Sequence, residues 1–230
     1  MRKELFKNQW DFILYEEDPV RIIEKIKHMI AKRIPASFGL NPIEDIQCLT
    51  PMNRGPLGTA SLNSILQETL NPSHEYIERY GQKFAVGDKV IQMRNNYEKD
   101  VFNGDLGFIQ GIHNEDRRVT VSVDQRFIEY EFDELDELQL AYATSIHKSQ
   151  GSEYPCVLIP IVTAHFMLLD KNLLYTAMTR GKKLVIFIGQ KKALAMGVHQ
   201  DRSTKRITHL KHRLTSCLSI KNTLLSQQGE

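Results

Sequence analysis

At 230 residues the chain can form one large domain, or a domain carrying a smaller one, and either buries a sizeable core. A net charge of +2, from 30 basic and 28 acidic residues, excludes a uniformly basic or acidic surface as a guide to partners. Cys48, Cys156 and Cys217 lie far apart with no CxxC or Cys/His spacing, so neither a zinc site nor a disulfide framework is indicated, and a reducing, cytoplasmic compartment fits. Met1 to Trp10 lacks the apolar stretch of a signal peptide, and no run approaches the ~20 apolar residues of a membrane span, so a soluble protein with no membrane partner is expected.

Along the chain, Asp11 to Tyr15 reads as a short buried strand, and Pro19 marks a helix start. Ile22, Ile23, Ile26, Met29 and Ile30 recur at helical spacing, and the helix is expected to end before Pro35. Ile46–Thr50 is the next strand, Pro51–Gly58 a loop of turn formers, and Thr59 to Leu70 a helix with Leu62, Ile65, Leu66 and Leu70 inward. At Phe84 the texture changes to short β runs: Lys89 to Met93, Leu106 to Ile112, Val119 to Val123 and Phe127 to Phe132, with Asn103-Gly104 suited to a two-residue hairpin turn. About fifty residues of antiparallel β suffice for a small barrel inserted in the larger fold. The parallel-strand texture resumes at Leu138. It continues through Cys156–Ile161, a helix from Asp170 to Arg180, the strand Leu184–Ile188 and a short helix from Lys191.

The expected class is therefore α/β: a parallel sheet with helices on both faces over residues 1–82 and 139–200, interrupted by a small antiparallel barrel at 83–138. Residues 201–230 form a basic tail. Charge is locally segregated, with acids at Glu129, Glu131, Asp133, Glu134, Asp136 and Glu137 and bases at Lys191, Lys192, Arg202, Lys205, Arg206, Lys211 and Arg213. The first reading is a solvated face beside a fraying tail, and the second a nucleic-acid footprint.

Two stretches carry chemistry. Thr144 to Glu153 gathers hydroxyl, imidazole, ammonium, amide and carboxylate groups where a strand is expected to give way to a short helix. In a parallel sheet this end of a strand faces the ligand crevice, and helix amino termini favour phosphate. The plainer alternative makes Ser145 and Ser149 caps, His147 a packing histidine and Lys148 a solvated charge. In Leu173 to Lys183, Arg180 ends a helix just ahead of a buried strand. It either interacts with its own helix carboxyl end or acts as an arginine finger on a transferring phosphoryl group.

Ser145 to Glu153 is similar to motif V, and Tyr175 to Arg180 to motif VI, of the RecD/TraA-type DNA helicases of superfamily one. Leu49 to Gly58 resembles their motif IV region, and Val101 to Gly107 their Src-homology-type barrel insertion. The resemblance spans approximately Asp11 to Val198 and implies a second RecA-like motor domain moving 5′ to 3′ on single-stranded DNA, with ATP and Mg2+ as cofactors, in DNA repair and recombination. It implies that Arg180 reaches the γ-phosphate, with Arg54 as a second phosphate contact. Gln150 and Gly151 would line the nucleotide cleft, and Glu153 would accept a hydrogen bond from the ribose. Thr144, His147 and Lys148 would lie nearer the DNA. Asn103, beside Asn95, Asn96 and Tyr97, is the barrel's candidate DNA contact, against the alternative of a purely structural hairpin.

A phosphate loop, G-x-x-x-x-G-K-[ST], and an acidic magnesium pair do not occur in this sequence. The expectation is a C-terminal motor piece that works with an N-terminal RecA-like domain of the same protein and is inactive alone. A non-hydrolysing nucleic-acid or protein adaptor is the alternative, with a protein partner bound through the barrel. A nucleotide-binding regulator is a third reading.

Overall fold

A computed structural model describes residues 12–73 and 75–200. The basic tail expected at 201–230 lies outside the described residues. In chain order the elements are β1 (Phe12–Tyr15), α1 (Pro19–His28), α2 (Ile34–Phe38), β2 (Ile46–Thr50), α3 (Thr59–Leu70), β3 (Ile77–Arg79), β4 (Gln82–Phe84), β5 (Lys89–Gln92), β6 (Leu106–His113), β7 (Arg118–Val123), β8 (Arg126–Glu131), β9 (Leu138–Leu140), β10 (Ala143–Ser145), β11 (Tyr154–Ile161), α4 (Lys171–Met178), β12 (Gly181–Gly189) and α5 (Lys191–His199).

A parallel sheet in the order β1-β12-β11-β2-β10 forms the frame. β2, β10 and β11 are buried on both faces, and alternate residues divide between two cores, as a period of two requires. β1, expected as a buried strand, is an edge strand that keeps Phe12 and Tyr15 exposed, because only β12 pairs with it. Cys48, Leu158, Leu184, Ile186 and Ile188 join Ile22, Ile26, Leu62 and Leu66 of α1 and α3 on one face. Leu49, Val157, Ile159, Val185 and Phe187 meet Leu173, Leu174, Ala177 and Ala193 of α4 and α5 on the other. Helices therefore cover both faces, as expected of a RecA-like sheet.

The inserted unit is a five-stranded antiparallel sheet, β8-β7-β6-β5-β9, with a single 3-10 segment, Phe132–Glu137, joining β8 to β9. Val90, Ile109, Val119, Val121, Tyr130 and Leu135 form its interior and are continuous with the first core.

Four further expectations are corrected. The first helix does not end before Pro35. A π-helical segment, Met29–Arg33, follows α1, and α2 runs on to Phe38, where Gly39 donates its N–H to the Pro35 carbonyl. Proline is tolerated there because Pro35 lies at the start of α2, just after the wider π turn, where its missing N–H disturbs the ladder least. Leu138 does not resume the parallel sheet, since β9 pairs antiparallel with β5 and the parallel strands return only at Ala143.

Asn103-Gly104 does turn the chain, with Asp105 N–H bonded to the Phe102 carbonyl. It does not join β5 to β6 as a two-residue hairpin, because Ile91 pairs with Leu106 and the whole of 93–105 forms the connection. Finally, the segment after β10 is a series of turns and not a short helix. Thr144 to Glu153 therefore presents no helix amino terminus.

Candidate nucleotide and nucleic-acid site

The turn between β10 and β11 is held from inside. Ser149 is buried and donates its hydroxyl to the Ile146 carbonyl at 2.8 Å, and Ser145 Oγ accepts the Lys148 N–H at 3.3 Å. Gly151 takes φ 91°, a left-handed conformation that side chains with a Cβ rarely adopt, so the turn can close into Ser152. The two serines thus serve the turn itself, and the turn presents His147, Lys148, Gln150 and Glu153 to solvent.

Arg180 is tied to this turn. Its Nη1 donates to the Ser152 carbonyl at 3.0 Å, Nε to the Thr176 carbonyl at 3.2 Å and Nη2 to Thr179 Oγ1 at 3.0 Å. The backbone adds a fourth link, Tyr154 N–H to the Arg180 carbonyl at 2.8 Å. Arg180 therefore bonds its own helix end, as the plainer reading held, and also clamps the second half of the turn. A guanidinium carries about five N–H bonds, so donors remain for an anion. Glu153 pairs with Lys182 at 3.2 Å, with both side chains more than half exposed.

The first half of the turn faces elsewhere. Thr144, Ser145 and Lys148 line a cleft of ≈ 710 Å³ with Arg54, Asn63 and Tyr76. Thr144 is buried, and its Oγ1 accepts from Gln47 Nε2 at 3.5 Å. Lys148 Nζ rests against Met93 Sδ of the β5–β6 connection at 3.0 Å, and partial burial lowers its pKa. Arg54 sits exposed in the loop ahead of α3. Gly58 closes that loop, where a Cβ would stand 2.5 Å from the Arg54 carbonyl oxygen. The structure thus groups Arg54 with Thr144 and Lys148 along the cleft, and Arg180 with Ser152 on the other limb of the turn.

Asn103 is exposed at its turn, and its N–H donates to Asn95 Oδ1 at 2.9 Å. Asn96 Nδ2 is spent on the Glu137 carboxylate. Glu137 is buried, where it also accepts from Gln92 and Arg94, so the acidic run is not wholly a solvated face. Burial opposes ionisation of Glu134, but the Lys99 ammonium and the Glu131 N–H outweigh it and hold its carboxyl below the usual range.

Sequence reasoning missed two residues that position the cleft. Asn63 of α3 donates to the Leu140 and Ala143 carbonyls at 2.8 and 3.0 Å and accepts the Ala143 N–H at 2.7 Å, fixing the start of β10. Asp88 is fully buried and accepts from Gln67, Asn71, Ala85 N–H and Tyr142 OH at 2.6 to 2.7 Å. Burial raises its pKa, and those four donors pull against that rise. The bonds join α3, the entry to the barrel and the residue before β10. Both partnerships span long sequence separations, and no local motif signals them.

Comparison with known proteins bears on this geometry. Residues 62–123 match the model of the ATP-dependent RecD-like DNA helicase SH3 domain, and residues 140–188 that of the UvrD-like helicase C-terminal domain. The ATP-dependent RecD2 DNA helicase of Deinococcus radiodurans is 37% identical over 160 residues, covering 70% of this chain and 22% of that protein. The RecBCD enzyme subunit RecD of Mycolicibacterium smegmatis is 27% identical over 205 residues, covering 86% of this chain and 36% of its own. The chain thus spans about a fifth to a third of these relatives. Among solved structures, the Pif1 helicase from Bacteroides in complex with ADP-AlF3 and ssDNA superposes with a TM-score of 0.51 at 17% identity, over 85% of this chain and 52% of that one, a likeness of fold.

Proposed function

Because the chain is a RecD-like helicase C-terminal region, we propose that it serves as the second RecA-like half of an ATP-dependent DNA helicase that moves 5′ to 3′ on a single strand. The reading rests on the clamp between Arg180 and Ser152, 3.0 Å apart, on a turn whose other end lines the cleft through Ser145 and Lys148. One rigid turn then serves two polyanions, a nucleoside triphosphate on the Arg180 side and a DNA backbone on the cleft side.

In this account the remaining N–H groups of Arg180 meet the γ-phosphate as charge develops, and its planar fork keeps hold of the turn while doing so. Gln150 and Gly151 border the nucleotide, and Glu153 turns from Lys182 to a ribose hydroxyl. Lys148 and Arg54 hold phosphates along the strand, with Thr144 beneath them. Such contacts grip without reading sequence. Arg54 therefore moves from the nucleotide to the DNA in this reading, while Asn103 extends the strand contact to the barrel loop.

ATP supplies the free energy and Mg2+ neutralises its phosphates when bound. Among the described residues no group of three or more His, Cys, Asp or Glu is placed to hold a metal ion. In this reading an N-terminal RecA-like domain of the same protein would supply the magnesium ligands and the phosphate loop.

The test is a division of labour. The 230-residue chain is expected to bind single-stranded DNA with strong salt dependence and to show no steady ATP turnover. Steady turnover abolished by Arg180→Ala would contradict this reading.

A further inference from the structure

The cleft is also lined by the β3–β4 hairpin, which lies outside the motif-like stretches of the sequence though within the match over residues 62–123. Ile77 and Phe84 pair across it and are buried, anchoring the hairpin to the core. The residue before that anchor, Tyr76, stays 45% exposed and lines the cleft. Lys83 pairs across the hairpin with Glu78, its ammonium lies 4.6 Å from the centre of the Tyr76 ring, and it lines the cleft as well. The other charged residues of the lining are Arg54, Lys148, Glu68 and Glu78, so cations outnumber acids by three to two. A half-exposed ring held by a cation, in a cleft also lined by the turn lysine Lys148, matches the alternation of a nucleic-acid single strand, in which flat bases alternate with phosphates.

We infer that Tyr76 is a base-stacking platform, and that Lys83 both steadies its ring and meets a neighbouring phosphate. The site takes a single-stranded nucleic acid across the cleft, one base against Tyr76 and the backbone toward Lys148. Stacking on a ring is indifferent to base identity, so the platform adds affinity and register without sequence preference. The inference rests on the cleft being the strand site, and its test separates the two.

The experiment measures binding of this chain to a labelled oligothymidylate and to an abasic strand of equal length, which keeps the phosphates and lacks the bases. Tyr76→Ala is expected to weaken oligothymidylate binding ~10-fold and leave abasic binding unchanged. Tyr76→Phe, which keeps the ring, should retain wild-type binding of both, and the unchanged abasic binding of Tyr76→Ala excludes a folding defect at this half-exposed position. Lys148→Ala and Lys83→Ala should weaken both strands. If Lys148→Ala weakens both strands while Tyr76→Ala binds oligothymidylate as well as the unaltered chain, the platform is wrong and the cleft stands. If Tyr76→Ala weakens both strands equally, the stacking role is likewise wrong. If Lys148→Ala changes nothing, or the unaltered chain binds neither strand, the cleft reading fails and the platform with it.

Discussion

The Arg180 guanidinium donates to the Ser152 carbonyl oxygen at 3.0 Å, so the carboxyl end of α4 and the β10–β11 turn are joined through one side chain. A lysine carries the same charge without the planar fork, and it cannot hold Ser152, Thr176 and Thr179 together. Arg180→Lys is therefore expected to lower kcat of the motor by roughly tenfold or more and, since it loses bonds of that clamp, to lower the thermal midpoint modestly as well. Steady-state kinetics beside a melting curve checks both parts.

Asp88 secures the joint between helix, barrel and strand. Asp88→Ala leaves the four donors of Gln67, Asn71, Ala85 and Tyr142 without their acceptor in a buried site. The expected loss is about 3 kcal/mol or more of stability, read from the denaturant midpoint. Asn63→Ala is expected to cost about 1–3 kcal/mol and also to weaken DNA binding, since it frees the start of β10 beneath Thr144.

His165 gives the stability a defined pH dependence. It is buried, and burial pushes its pKa down to about 4 from 6.5. Between those values the unfolded chain takes up a proton that the folded protein refuses, so acidification favours unfolding. The stabilisation present above pH 6.5 falls by up to roughly 3 kcal/mol as the pH drops to about 4. The raised carboxyl of Asp88 acts in the opposite sense in acid, so the effect is isolated by difference. His165→Gln should flatten the decline in thermal midpoint between pH 6.5 and 4, and an unchanged slope would refute it.

Much of this architecture is legible in the residues. The run Ile46–Thr50 and the repeat in Thr59–Leu70 fall on β2 and α3 because each pattern is short, apolar and bounded by turn formers. Leu138–Leu140 misleads because an apolar triplet reads alike in a parallel sheet and in a barrel strand, and only its pairing with β5 decides. The helix passes Pro35 because a π turn precedes it, which periodicity does not register. The hairpin Ile77–Phe84 escapes notice since its buried residues are only the outer pair. At the site, local motifs reveal the turn and Arg180. The grouping of Arg54 with Lys148, and the clamps made by Asn63 and Asp88, arise from tertiary contacts that no stretch of sequence carries.

The central claim is that one turn couples two sites through opposite limbs, and single-stranded-DNA-stimulated ATP hydrolysis tests it most directly. In a protein joining this chain to a phosphate-loop motor domain, Arg180→Ala should lower kcat by ~10³ to 10⁵ with little change in the DNA concentration for half-stimulation. Lys148→Ala should raise that DNA concentration several-fold and leave the maximal rate near that of the unaltered protein. An unchanged kcat in Arg180→Ala, or the same parameter moved by both variants, would contradict the account.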